Sequence, residues 1–233
     1  MPIKIFKPLG LTPLELIEKY KKTNNVKQKM SFAGRLDPMA SGLMLLLVGD
    51  ECKKQPEYCG KDKIYEFKIL YGFKTDSLDI LGISETIENT DFNYKDLVGE
   101  LEQKYPVYSS KTLKIGGITK PLWYWEKKGI LKDSMVPKKD VKVFDLNILE
   151  RREYSNFEIQ EMIFERISKL SEKNKDKFRY KDIKEKWEVN LLDDKKYRVE
   201  SFRTKVSSGT YIRGLCEKMG GVAFDINRID IIF

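Results

Sequence analysis

The sequence predicts an α+β domain, and three observations carry that reading. Apolar residues make up 41% of the 233-residue chain, enough for one large core. Segments with two-residue apolar alternation and segments with helical apolar spacing both occur. They follow one another without a regular strand–helix–strand rhythm, which is the α+β pattern.

The elements follow in order. In LTPLELIEKYKK, Thr12 can cap a helix, Pro13 suits its first position and Glu15 closes a capping box. Leu14, Leu16, Ile17 and Tyr20 would form its inward face. Ser41-Gly42 leads into the apolar run Leu43 to Val48, a buried strand or a buried helix turn. Lys63 to Phe73 alternates, with Tyr65, Phe67, Ile69 and Tyr71 on one face, and predicts a strand. Gly72 to Gly82 is turn-rich and acidic, and Asp96 to Lys104 predicts a short helix. Pro106 to Gly129 interleaves aromatic and basic residues, and Val141 to Leu149 predicts another strand. Asn156 to Leu170 is an amphipathic helix with Ile159, Met162, Ile163, Ile167 and Leu170 near helical spacing. Ser171 to Lys186 is densely charged and predicts a solvated turn and helix. Tyr197 to Val206 predicts a strand that ends at Ser207-Ser208-Gly209-Thr210. A helix from about Tyr211 to Met219 follows, stopped by Gly220-Gly221, before a terminal strand from Ile226 to Phe233.

Composition narrows the chemistry. Lys and Arg outnumber Asp and Glu by 44 to 36, a net charge of +8, which favours a polyanionic partner. Histidine is absent. That removes Ser-His-Asp triads, Cys-His dyads and histidine general bases. With three scattered cysteines (Cys52, Cys59 and Cys216) and no CxxC pair, neither a zinc site nor a disulfide framework is expected. The expected setting is a reducing compartment. The N-terminus MPIKIFKPLG lacks the apolar region of a signal peptide, and no apolar run approaches the roughly 20 residues of a membrane span. A soluble, cytoplasmic protein is expected.

The stretch SFAGRLDPMASGLMLLLVGD, residues 31–50, sets Arg35 and Asp37 directly against an apolar run. Charge at a core boundary is costly unless paired, so the pattern marks either a structural ion pair or a working site. Three further pieces stand beside it: Lys63-Ile64-Tyr65 with Thr75-Asp76; Tyr108-Ser109 with Lys111; and Gly209-Thr210-Tyr211-Ile212-Arg213.

In this order the four pieces resemble the tRNA position-55 pseudouridine synthases, the bacterial TruB enzymes and their yeast counterpart. The resemblance runs from about Phe6 to Ile229, apart from the interval near 151–196. The segment from GRLD to SGL would also suit other pseudouridine synthase branches, and GTYIR favours the tRNA branch. The resemblance implies a pseudouridine synthase-like catalytic domain on a mixed, mainly antiparallel sheet with flanking helices, spanning 1–233 as a single domain. The interval from about Arg151 to Lys196 is then a helical insertion, a hairpin or thumb, and no room remains for a C-terminal PUA domain. It implies a uridine in RNA whose glycosidic bond is broken, whose base is turned and whose carbon is rejoined, without cofactor or metal. Asp37 is implied as nucleophile, Tyr65 as the ring stacked on the flipped uracil, and Arg213 as the partner of Asp37. Thr75, Asp76 and Asp79 resemble the family's acidic turn, for which a structural role is expected.

Residue chemistry agrees. A stacked base must be flipped out before it can be attacked, and the pocket that receives it needs an aromatic wall. A carboxylate beside an apolar strand tends to keep its proton, and an arginine within about 4–6 Å favours the charged form. Arg35 is assigned to RNA phosphate or to the fold; Tyr108, Lys111 and Ile226 are assigned to RNA contact. Two departures stand out. Phe32 occupies the place of a family histidine that fills the space left by the flipped base, and Arg35 stands where alanine is common. The expected partner is RNA, tRNA foremost, bound by a monomer away from membranes. The alternatives are a non-catalytic RNA-binding or RNA-folding protein on the same scaffold, a synthase acting on rRNA or another RNA, and an enzyme on a small uridine compound.

Overall fold

The protein is described by a computed structural model covering residues 1–89 and 92–233. In chain order the elements are β1 (Ile3–Lys7), α1 (Pro13–Thr23), β2 (Met30–Ala33), β3 (Ala40–Val48), α2 (Gln55–Cys59), β4 (Asp62–Tyr71), β5 (Phe73–Thr75) and β6 (Ser84–Thr86). They continue with β7 (Gly99–Lys104), β8 (Thr112–Ile115), β9 (Ile118–Pro121), α3 (Leu122–Lys127), β10 (Lys138–Ser155), α4 (Asn156–Ser168), α5 (Glu172–Lys177), α6 (Tyr180–Asn190), β11 (Lys196–Val206), α7 (Ile212–Lys218) and β12 (Gly221–Ile232). An eight-stranded sheet in the order β1-β3-β12-β4-β11-β10-β7, with β2 paired to β3, is antiparallel except where β12 meets β3. The α+β, mainly antiparallel architecture is the one the sequence predicts.

The centre of the sheet is built from the alternating segment. On β4, Tyr65, Phe67, Ile69 and Tyr71 enter one core with Phe202, Leu215 and Ile226. Phe67 and Phe202 stack across paired strands at 5.5 Å between ring centroids. The opposite face is covered by residues 156–195. Ile159, Ile163 and Ile167 of α4 and Ile183 and Trp187 of α6 form a second core with Leu70, Phe73, Ile80 and Val222. Both Thr12 and Ser155 close the capping boxes that start α1 and α4.

Several expectations need correction. Asp96 to Lys104 is no helix: after a short 3-10 turn, β7 pairs as the edge strand with β10. Its Leu, Glu, Gln and Lys favour helix by propensity, but pairing with β10 overrides that preference, and Gly99 at φ +125° breaks the chain just where the strand begins. The charged stretch from Ser171 to Lys186 is not simply solvated, because it carries Ile183 into the second core with Phe178 and Tyr180 packed against it. Leu14 faces outward at 60% exposure. Strand β10 runs on to Ser155, so the helical interval begins at 156, and β12 begins at Gly221, five residues before the predicted strand.

Candidate active site

Asp37 lies in the loop that joins the paired antiparallel strands β2 and β3. Gly34 turns the chain at φ +71°, and the Asp37 carbonyl accepts from the Ala40 amide at 3.0 Å as β3 begins. Arg213 reaches it from the first turn of α7. The Gly209 turn at φ +84° and the buried Gln103 of β7 set that helix. The Gln103 side chain clamps the Tyr211 backbone, donating to its carbonyl and accepting from its amide, each at 2.9 Å. A Cβ on Gly214 would stand 2.5 Å from Gln103 Nε2, so a side chain there would push the Gln103 amide out of its clamp on Tyr211.

The Arg213 guanidinium is buried and lies 2.9 Å from Asp37 Oδ2 and 3.8 Å from Asp79 Oδ2. It also donates to the carbonyls of Ser77 and Tyr108. Burial alone would weaken its charge, but Asp37 and Asp79 outweigh that and raise its pKa. Asp79 is held by the Ser77 hydroxyl at 2.7 Å and the Leu81 amide at 3.0 Å. Burial, with the Asp37 charge adding to it, pushes its pKa up against the pull of Arg213. The acidic turn is a mount for Arg213, and Asp76 serves the same turn by pairing with Arg179 at 2.7 Å.

Asp37, Tyr65, Arg213, Ile226 and Arg35 share the lining of one cavity of about 300 Å³. Tyr105, Tyr211, Lys63 and Arg228 complete its walls. Tyr65 shows 6% of its surface and Ile226 the same, so ring and aliphatic chain form a floor rather than a rim. Burial, then the Asp37 charge, raises the Tyr211 phenol to about 12. Burial, then the Arg228 charge, lowers Lys63 to about 8. One carboxylate, Asp37, thus shares the lining of this cavity with Arg35, Lys63, Arg213 and Arg228, a balance suited to an anionic backbone.

The other predicted contacts fall elsewhere. Tyr108 lines an adjoining chamber, with the Arg179 guanidinium 4.6 Å from its ring centre. Lys111 lies outside both linings, its ammonium 5.0 Å from the Tyr105 ring centre. Phe32 lies outside them too: pairing of β2 with β3 turns it onto the main core, where the Arg35 guanidinium sits 5.2 Å from its ring. Arg228 was not singled out from the sequence. It is 1% exposed and donates to the carbonyls of Leu43 (2.6 Å) and Gly34 (2.7 Å), with Tyr65 Oη 3.4 Å away. Its signal was a charge between isoleucines in the terminal strand segment Ile226 to Ile232. Among the described residues no group of three or more Cys, Asp or Glu is arranged to hold a metal, and no helix is long and apolar enough to cross a membrane.

Residues 21–164 match the TruB family pseudouridylate synthase (N terminal domain). The chain belongs to this family. A tRNA pseudouridine synthase B from Fusobacterium nucleatum is 36% identical over 155 residues, 64% of this chain and 52% of that protein. A tRNA pseudouridine synthase 4 from Saccharomyces cerevisiae is 28% identical over 235 residues, 83% of this chain and 57% of that protein. The chain thus spans about half the length of the curated TruB-family relatives it matches. Among solved structures, a Cbf5–Nop10–Gar1 complex aligns over 99% of this chain and 48% of the matched one, with a TM-score of 0.56 at 17% identity, a likeness of fold.

Proposed function

We propose that this chain is an RNA pseudouridine synthase that isomerises a flipped-out uridine, foremost uridine 55 of the tRNA T-arm, with Asp37 as nucleophile. The observation that carries this reading is the meeting of Asp37, ion-paired to buried Arg213, with the Tyr65 ring and Ile226 in one cavity. A carboxylate fixed by a guanidinium needs little reorganisation when it attacks. Tyr65 and Ile226 offer flat and apolar surfaces to an everted base, a contact worth about 1–3 kcal/mol per stacked base. The net reaction balances without a cofactor: the N1–C1′ bond breaks, a C5–C1′ bond forms, C5 loses a proton and N1 gains one. The curated relatives named as tRNA pseudouridine synthases support tRNA as the substrate. The same reading carries a cytoplasmic location and action as a monomer.

Incubation with unmodified tRNA transcript, followed by carbodiimide mapping of pseudouridine, tests it. Product at the T-arm uridine is expected from the wild type and none from Asp37→Asn, with the variant still folded and still binding RNA. Binding without product in the wild type would instead mark a non-catalytic RNA-binding protein, and turnover by Asp37→Asn would remove Asp37 from the nucleophile's role.

A further inference from the structure

On the other side of the Asp37–Arg213 pair lies a second chamber of about 250 Å³. The two share Arg35, Leu36, Asp37, Ser109, Ser110 and Arg213, so the ion pair belongs to the lining of both. One side of this chamber is α1; another is Trp123 and Lys127 of α3; the third is supplied by α5 and the turn after it, with Lys173, Lys177 and Arg179. The chamber therefore exists only because the helical interval 156–195 folds back against the residues after β9.

Its lining holds six cationic and four acidic side chains, and the lysines gather on the side formed by α3 and α5. Arg213 is matched by Asp37 and Asp79, and Arg179 by Asp76. Glu15 is fully engaged, accepting from Thr12, Ser171 and Asn174. Glu18 also lines the chamber. Arg35, Lys127, Lys173 and Lys177 make no salt bridge among the described residues, so the side of the chamber formed by α3 and α5 is cationic while Glu15 and Glu18 stand across from it on α1. Lys127 and Lys177 are forced together, the Lys127 ammonium donating to the Lys177 carbonyl at 2.7 Å. Burial, then the charges of Arg179 and Lys177, lowers the Lys127 pKa. Half-buried Trp123 and Tyr108 stand beside this cluster.

We infer that this second chamber is a subsite for a nucleotide flanking the target uridine, its phosphodiester held by Lys127, Lys173 and Lys177 and its base against Trp123. The inference rests on the proposed function, since it takes the everted uridine to lie in the first cavity. A strand whose target base enters at Asp37 must carry its neighbour past the Asp37–Arg213 pair, where three lysines without carboxylate partners and half-buried Trp123 meet it.

The test is binding of an unmodified T-arm stem-loop transcript across a salt series. Lys173→Ala/Lys177→Ala is expected to weaken binding roughly tenfold and to flatten the slope of log affinity against log salt by about 0.7–0.9 per lysine. Trp123→Ala should weaken binding roughly fivefold or more with the slope unchanged. The control Lys181→Ala/Lys186→Ala removes two exposed cations of α6 that lie outside the chamber and should leave the slope near the wild-type value. If the two lysine pairs behave alike, the chamber is no subsite. If the wild type binds but forms no pseudouridine, the proposed function fails, while the comparison of slopes still decides the chamber.

Discussion

Asp37 Oδ2 lies 2.9 Å from a guanidinium nitrogen of Arg213, yet the acid is 27% exposed and the arginine 3%. The two halves of the pair thus have different surroundings. The cation is sealed in protein, braced from behind by Asp79, while the carboxylate faces the cavity. An acid placed this way faces the cavity while its partner stays held by Asp79 and the carbonyls of Ser77 and Tyr108.

Removing Arg213 should therefore harm the fold as well as the chemistry. Arg213→Ala strands Asp79 in the core, and breaking a buried pair costs about 3–5 kcal/mol. Urea unfolding should show that loss, and turnover should vanish. Arg213→Lys should recover part of the stability but little activity, since one ammonium cannot hold Asp37, Asp79 and two carbonyls together. Full activity in the lysine variant would show that only charge matters.

Gly42 should not tolerate a side chain. It sits at φ +115° where β3 runs parallel to β12, and a Cβ there would stand 2.3 Å from the Arg228 carbonyl oxygen. Gly42→Ala must push the two strands apart, moving Arg228 off the carbonyls of Leu43 and Gly34. A loss of about 3 kcal/mol or more by urea midpoint is expected, with a fall in kcat. Wild-type stability in the variant would mean that the strands shift freely.

Lys7 gives the fold a dependence on alkaline pH. Its ammonium is fully buried, donating to the carbonyls of Pro8 (3.0 Å) and Leu11 (2.7 Å). Burial, aided by Arg228 and opposed by Asp37, lowers its pKa to about 8. In the unfolded chain it titrates near 10.4. Between those values the unfolded chain holds more protons, so stability rises with pH by up to about 1.4 kcal/mol per unit. Below about pH 8 both states are charged and the folded state carries the whole burial penalty. Urea midpoints of wild type and Lys7→Met from pH 7.5 to 10 should diverge in the wild type's favour as pH rises. A constant difference would remove Lys7 as the cause.

Trp187 ties the helical interval to the site. It is fully buried, meets Phe73 edge-on at 5.1 Å and donates its indole N–H to the Ile80 carbonyl at 3.0 Å, one residue from Asp79. Trp187→Ala should cost about 3–5 kcal/mol and lower kcat by loosening the mount of Arg213. Lys186→Ala, beside it but exposed, should stay within about 0.5 kcal/mol of wild type. An unfolding midpoint in Trp187→Ala equal to that of wild type would make the interval a separate appendage.

Local rules were enough wherever a segment carried its own signal. The capping boxes at Thr12 and Ser155, the alternation from Tyr65 to Tyr71 and the glycine stop at Gly220 depend on neighbours within a few residues, so they were readable from the string. So were the pieces around Asp37, Tyr65 and Arg213, because each pairs a costly charge or a special turn with an apolar run. Their convergence in one cavity could not be read that way.

Amino-acid order alone determined the class of fold, the basic character of the chain and the family to which it belongs. Three-dimensional packing decided which charges meet. Asp79 as the second brace of Arg213, Arg228 as a clamp on the chain before Asp37, β7 as a strand, and the chamber under α5 all arise from contacts between residues tens to nearly two hundred positions apart. The Coulomb energy and solvation of such groups are set by distance and burial in space, and neither quantity is written in the spacing of residues along the chain.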